Sequence, residues 1–274
     1  MKKTVKKIIM GLVAGAIAVS CGGFSVAAQE SDDFLSGDFY YDYLFRETGV
    51  SVPKLQSIEE ELGADLYDYF GIELPTKKDY ENFMNYREDE DISLHSTFTY
   101  DADYIMPASK WNALYKVAEP SDILVTKDCT TATVDHGHSA LVYGDGYTIE
   151  HYGYRGIVEG STGLSDKEIM ERFWIHCQSC RLYEVSEVKN DYLDEEIVQY
   201  AEDNLIGLSY APLARLDVKA VNCATLIWKA YNSVGIDLGG HWNDTRIPSD
   251  YVEHNELYMV FSTGWGHTKP YVWK

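Results

Sequence analysis

The chain has 274 residues, with 23 lysines and arginines against 44 aspartates and glutamates and a formal net charge of -21. So acidic a surface repels nucleic acid and anionic membrane and leaves neutral or cationic partners. The length supports one sizeable core with an appendage, and beyond residue 28 no stretch is apolar for long enough to cross a bilayer.

Residues 1–28 read as a secretory signal peptide. Lys2, Lys3, Lys6 and Lys7 give a basic start, residues 8–19 an apolar stretch, and Ser25-Val-Ala-Ala28 a run of small residues before the polar Gln29. Removing this leader takes away basic residues and no acid, so the expected mature protein is still more negative. The expectation is a protein secreted by a bacterium or held in its cell envelope. A rival reading makes Cys21 the attachment site of a lipoprotein anchor, but Ala18 stands three residues before it where a Leu is usual.

Residues 29–98 form an acidic, Tyr-rich N-terminal extension, as in Asp38-Phe-Tyr-Tyr-Asp-Tyr43. Ile58, Leu62, Leu66 and Phe70 recur at helical spacing over 57–70, which Gly71 closes, and a second helical pattern covers 76–86. Helical cap, propeptide and partly disordered spacer all fit this composition.

Residues 99–274 carry a different pattern and are expected to form the catalytic domain. Strands are predicted over 122–126, 138–143 and 147–151, with Gly144-Asp-Gly146 turning the last two into a hairpin. A short helix is predicted over 165–172, capped by Ser165 with Glu168 in the capping-box position, and a strand over 182–185. Ile197, Val198, Ala201 and Leu205 mark a helix over 194–205 ended by Gly207. A last amphipathic helix starts at Cys223 and ends at Gly235. Short strands and helices in this order predict an α+β domain with a small antiparallel sheet.

Cys223 heads its helix, with Leu226, Ile227, Ala230 and Val234 facing inward. The unpaired N–H groups of a first turn and the helix dipole favour a thiolate there and can receive an oxyanion. His138 shares one strand face with Ala140 and Val142, and both faces are apolar, so this strand is expected to be covered on both sides. A nucleophilic cysteine needs such an imidazole as base, and a third group to orient the ring. Hairpin parity offers two candidates. A three-residue loop places Glu150 on the face of His138, and a two-residue Asp145-Gly146 turn places His151 there.

The other cysteines carry less. Cys177-Gln-Ser-Cys180 has redox or zinc spacing, but no second pair completes a zinc site and no surrounding pattern suggests thioredoxin, so a local or absent disulfide is the plain reading. Cys129 lies in a polar pattern with no helix after it. His136-Gly-His138 lacks further ligands at suitable spacing, so neither metal nor cofactor is expected. The aromatic run 265–273 is read as packing.

Five blocks in order, Pro120-Ser-Asp-Ile-Leu124, His138-Ser-Ala-Leu-Val-Tyr-Gly-Asp-Gly146 with Glu150, Gly207-Leu-Ser-Tyr210, Asn222-Cys-Ala-Thr-Leu-Ile-Trp-Lys-Ala-Tyr231 with Gly235-Ile-Asp-Leu238, and Ile247-Pro-Ser-Asp250, resemble the permuted papain-like amidases of the YiiX/YaeF type, in the NlpC superfamily of cysteine peptidases. In that group His precedes Cys, as here. The resemblance implies a permuted papain-like fold, a small curved sheet or partial barrel packed on the nucleophile helix. It also implies a triad of Cys223, His138 and Glu150, and a substrate-binding role for Tyr210. Ser121 departs from the pattern, standing where the family has Gly.

The expected function is thus a secreted cysteine amidase or peptidase acting on cell-wall peptides, peptidoglycan fragments or N-acyl amino compounds. One alternative is an acyltransferase or lipase like the lecithin:retinol acyltransferase group, which carries His where Glu150 stands and Glu-His where Ala224-Thr225 stands. The other is an inert ligand-binding module with Cys223 buried.

Overall fold

The β-branched and aliphatic run Ile123-Leu-Val-Thr126 and the apolar stretch that follows His138 pair as neighbouring strands at the centre of the protein. The computed structural model describes residues 38–78, 81, 103–128, 130–131, 134–135, 137–153, 163–188, 191–211, 219–239, 248, 251 and 257–264. In chain order the elements are helices α1 (Asp38–Thr48), α2 (Val52–Leu62), α3 (Leu66–Phe70) and α4 (Ala108–Val117), then strands β1 (Ile123–Thr126), β2 (Thr130–Thr131), β3 (Val134–Asp135), β4 (His138–Gly144), β5 (Tyr147–Glu150) and β6 (Asp166–Ile169). Helix α5 (Glu171–Trp174), strand β7 (Cys180–Val185), a 3₁₀ turn (Ser186–Val188), helices α6 (Asp191–Asn204) and α7 (Cys223–Asn232) and strand β8 (Leu257–Thr263) complete it. Strands β2 and β3 pair separately, and the other six form one antiparallel sheet in the order β6-β5-β4-β1-β7-β8. The predicted α+β class with an antiparallel sheet is what the structure has.

Alternation along the central strands sends side chains to two cores. Leu124, Ala140, Val142 and Leu182 face a core built with α1 to α5, through Leu44, Leu55, Leu66, Leu114, Phe173 and Trp174. Ile123, Val125, Leu141, Ile149 and Tyr183 face a second core with Ile197 and Ala201 of α6 and Leu226, Ile227 and Ala230 of α7. Strand β4 is therefore covered on both sides, as its two apolar faces predict.

The acidic extension contributes three helices to the first core. Its tyrosines pack their rings inward: Tyr43 and Tyr67 are buried, while Tyr40 and Tyr41 keep hydroxyls that donate to Glu59. Extended backbone after α1 also meets β8, where Ser51 N donates to Val260 O and Ser262 N to Gly49 O, both at 2.8 Å.

Two local expectations change. The helix predicted over 57–70 is two helices, because Gly63 takes a left-handed conformation and Asp65 caps the next turn by accepting from Tyr67 N. The helix predicted over 165–172 is instead the edge strand β6, followed by α5. Strand β5 offers an open edge that residues 166–169 fill. Ser165, no longer a cap, accepts from Leu208 N, and Glu168 binds Arg172 at 2.7 Å; a ladder of backbone bonds outweighs one capping box of about 1 kcal/mol. Helices α1 and α4 and strand β8, which carry no clean periodicity in sequence, are additional.

The β4–β5 hairpin answers the parity question. Gly144 pairs with Tyr147 across a two-residue Asp145-Gly146 turn, but a register shift between Val142 and Gly144 sets Val142 opposite Thr148 and Leu141 opposite Ile149. The bulge restores the register of the three-residue loop. Glu150, not His151, consequently shares the face of His138.

Ser121 has φ 73, the left-handed region that glycine enters most easily. Three tethers hold it there: its N donates to Val142 O at 2.9 Å, its carbonyl accepts from Tyr231 OH at 2.6 Å, and its hydroxyl donates to Asp194. Gly137, just before β4, has φ +69, and a Cβ there would run into the Thr126 carbonyl oxygen. Gly137→Ala is expected to lower unfolding free energy in urea by about 1–3 kcal/mol, and to slow alkylation of Cys223 because His138 moves with the strand start; unchanged values of both would show that β4 starts without this constraint.

Candidate active site

Asn222 sits at the N-cap of α7 in extended conformation. Its side chain accepts from Thr225 N at 2.6 Å, and Thr225 Oγ1 accepts from Asn222 N at 2.8 Å, a reciprocal capping box. The box fixes where the helix starts, and so makes Cys223 its first residue. Leu226, Ile227 and Ala230, all fully buried, anchor the helix on the sheet side.

His138 opens β4 and is 3 % exposed. Its Nε2 donates to Glu150 Oε2 at 2.7 Å, leaving Nδ1 as the nitrogen that meets the Cys223 sulfur, to which the ring is hydrogen-bonded. Glu150 is held in turn. Its other oxygen, Oε1, accepts from Thr148 Oγ1 and from Trp174 Nε1, the latter at 3.3 Å. Tyr152 and Trp174 stack along the imidazole at centroid distances of 5.5 and 5.8 Å, and Phe173 meets it edge-on at 5.1 Å. Ring position and tautomer are thus fixed by packing and by a carboxylate together.

The electrostatics follow from this enclosure. Burial works against a charged imidazole, yet the hydrogen bonds to Cys223 and Glu150 and their charges outweigh it, raising the His138 pKa to about 9. Burial also works against the thiolate, but the hydrogen bond and charge of His138, with the Ser139 amide, outweigh it and hold Cys223 below the ordinary thiol range. A helix N-terminus contributes at most about 2 kcal/mol to an anion, so the imidazolium is the larger partner. Each partner of the pair thus favours the charged form of the other.

Tyr210 is half-buried beside the site. It bridges to Val221, two residues before Cys223, and its ring lies 4.9 Å from that of His151. The structure thus brings Cys223, His138 and Glu150 together and sets Tyr210 nearby. Thr148, Trp174 and Ser139 also belong to the site; period-2 alternation from Glu150 finds Thr148, whereas no sequence signal marks Trp174.

Cys177 and Cys180 are free, fully buried thiols whose pKa values burial pushes well up. Cys129, His136, Cys21 and the aromatic run 265–273 fall outside the described residues. Among the described residues no group of three or more His, Cys, Asp or Glu is placed to hold a metal ion, and no helix is long and apolar enough to cross a membrane.

No protein-family model matches the sequence, and no curated protein matches it. Among solved structures, the chain is similar to the crystal structure of the metalloprotein YiiX from Escherichia coli O157:H7, with a TM-score of 0.41 and 12% identity over 52% of this chain and 96% of that one. A likeness this weak carries no argument about the site.

Replacing the imidazole separates its effect on the thiol from that of the helix. In wild type, iodoacetamide alkylation of Cys223 is expected to stay fast well below the ordinary thiol range, and to be lost only as pH falls through the lowered Cys223 pKa. In His138→Ala the rate at pH 7 is expected to fall by at least about tenfold. A wild-type profile that rises only near pH 9, or an unchanged His138→Ala profile, would contradict the ion pair.

Proposed function

We propose that this protein is a cysteine hydrolase that cleaves amide bonds through Cys223, His138 and Glu150. One observation carries the reading: a single imidazole is hydrogen-bonded on one side to a helix-capped thiol and on the other to a buried carboxylate. A buried charge pair gives little net stability once desolvation is counted, so its assembly favours chemistry over architecture.

In this reading the Cys223 sulfur attacks an amide carbonyl, forming an S–C bond while the carbonyl pair moves to oxygen. The imidazolium of His138 gives its proton to the departing amine as the C–N bond breaks. His138, now neutral, takes a proton from water, which attacks the thioester and releases the acid and the thiolate. Glu150 keeps Nδ1 aimed at the sulfur throughout. Small acylated amines and cell-wall peptides are the substrates that suit the leader at residues 1–28, with Tyr210 flanking the acyl group. The same reading places the protein outside the cytoplasm.

The 3 % exposure of Cys223 favours a second reading, an inert module with a core thiol, and turnover separates the two. Digested cell-wall peptides incubated with wild type should yield new amine and carboxyl ends by mass spectrometry, whereas Cys223→Ala should yield none. Glu150→Gln is expected to retain about 1–10% of the rate, because the ring keeps a partner but loses the carboxylate that favours the imidazolium. The sign of the pH response is fixed: the acid form of His138 is needed, so turnover falls as pH rises through about 9 while alkylation does not. Equal turnover by wild type and Cys223→Ala would exclude the hydrolase.

A further inference from the structure

Beside the three residues just assigned, three buried side-chain polar atoms have no hydrogen-bond partner, Ser139 Oγ, Tyr152 OH and His151 Nε2, and of these only the ring nitrogen of His151 is left without a role. The pairing of Leu141 with Ile149, carried two residues further along each strand, sets His151 across from Ser139 on the face that α7 covers. Ser139 is the residue whose backbone amide hydrogen-bonds the Cys223 thiol. His151 is 1 % exposed, and its Nε2 has no hydrogen-bond partner.

The tautomer of that ring is fixed. Gly153 N donates to His151 Nδ1 at 3.1 Å, so Nδ1 is an acceptor and the neutral ring carries its proton on Nε2. Burial and then the positive charge of His138 keep the ring neutral by lowering its pKa to about 4. The Leu208 carbonyl acts on the ring as a weak backbone partner and raises that value somewhat, but it lies outside hydrogen-bond geometry for Nε2. Two histidines in one site thus have opposite states: His138 holds a charge, and His151 presents a neutral N–H donor.

A buried N–H with nothing to bind costs about 1–3 kcal/mol. That cost disappears when an acceptor enters. The half-buried ring of Tyr210 stands edge-on to His151, and the Tyr210–Val221 bridge ties this wall to the residue pair before Cys223. The acceptor would therefore arrive between Tyr210 and the sulfur.

We propose that His151 Nε2–H receives the carbonyl oxygen of the acyl substrate and stabilises the oxyanion that forms when the Cys223 sulfur adds to it. The step needs no further reactant: the S–C bond forms, the carbonyl pair moves to oxygen, and the proton of His138 stays on the imidazolium until the leaving group takes it. The first-turn N–H groups of α7 supply the second donor to the same oxygen. A neutral donor suits this role, since a second cation would repel His138. The inference rests on the proposed cysteine-hydrolase reading.

N-acetylglycinal, an aldehyde that adds a thiolate to give a bound oxyanion or hemithioacetal, tests it by protecting Cys223 from iodoacetamide. His151→Phe is expected to raise the aldehyde concentration needed for half-protection by roughly 100-fold, with the alkylation rate in the absence of aldehyde and its pH profile unchanged. His151→Gln, which keeps an N–H donor, should restore protection to within about tenfold of wild type. Unchanged protection in His151→Phe overturns the inference, as does a wild type that alkylates readily but is never protected. If His151→Phe does not fold, equal loss of protection in His151→Gln and His151→Leu also overturns it, because the donor then makes no difference. Failure of the underlying hydrolase reading is distinct: Cys223 of wild type then shows no lowered pKa towards iodoacetamide at all.

Discussion

A single imidazole shared between a sulfur and a carboxylate is the interaction on which the proposed function and much of the surrounding packing turn. His138 is buried in an aromatic enclosure that would by itself keep the ring neutral. Its charge survives there only because Cys223 and Glu150 flank it from opposite sides. Remove either and the desolvation of the rest goes uncompensated. The fold around it can be understood as the set of constraints that keep three side chains from distant stretches within hydrogen-bonding reach.

Those constraints are layered. The bulge in the β4–β5 hairpin decides which residue of strand β5 faces His138. Thr148 and Trp174 hold the carboxylate so that it stays aimed at Nε2, and the Asn222–Thr225 capping box fixes the first residue of α7. On the far side of the sheet the N-terminal helices supply the core that encloses Phe173 and Trp174. The acidic extension is therefore physically linked to the imidazole through the aromatic residues it packs against.

The second histidine shows how one environment produces two protonation states. His138 and His151 lie close enough to feel each other's charge, yet only His138 has anionic partners. Burial then sets the state of His151 unopposed. Under the proposed function, separating a charged acid from a neutral donor in this manner supplies both proton transfer and hydrogen bonding from one residue type.

How much of this was legible beforehand depends on the range of the forces involved. The helix at Cys223 and the strand at His138 were readable because periodicity, an N-cap Asn and a turn glycine are local signals. The covering of β4 on both sides followed from its two apolar faces. Helix 57–70 failed where Gly63 broke it, and 165–172 failed because an open strand edge elsewhere outcompeted a weak cap. The choice between Glu150 and His151 lay beyond pattern reading, since both turn registers occur in one hairpin and only the bulge reconciles them. The residues themselves thus determined which groups could carry chemistry and the local elements bearing them. Tertiary structure alone decided which carboxylate meets the imidazole, that Trp174 clamps it, and that His151 keeps an unpaired donor, because each depends on contacts between segments that sequence spacing does not order.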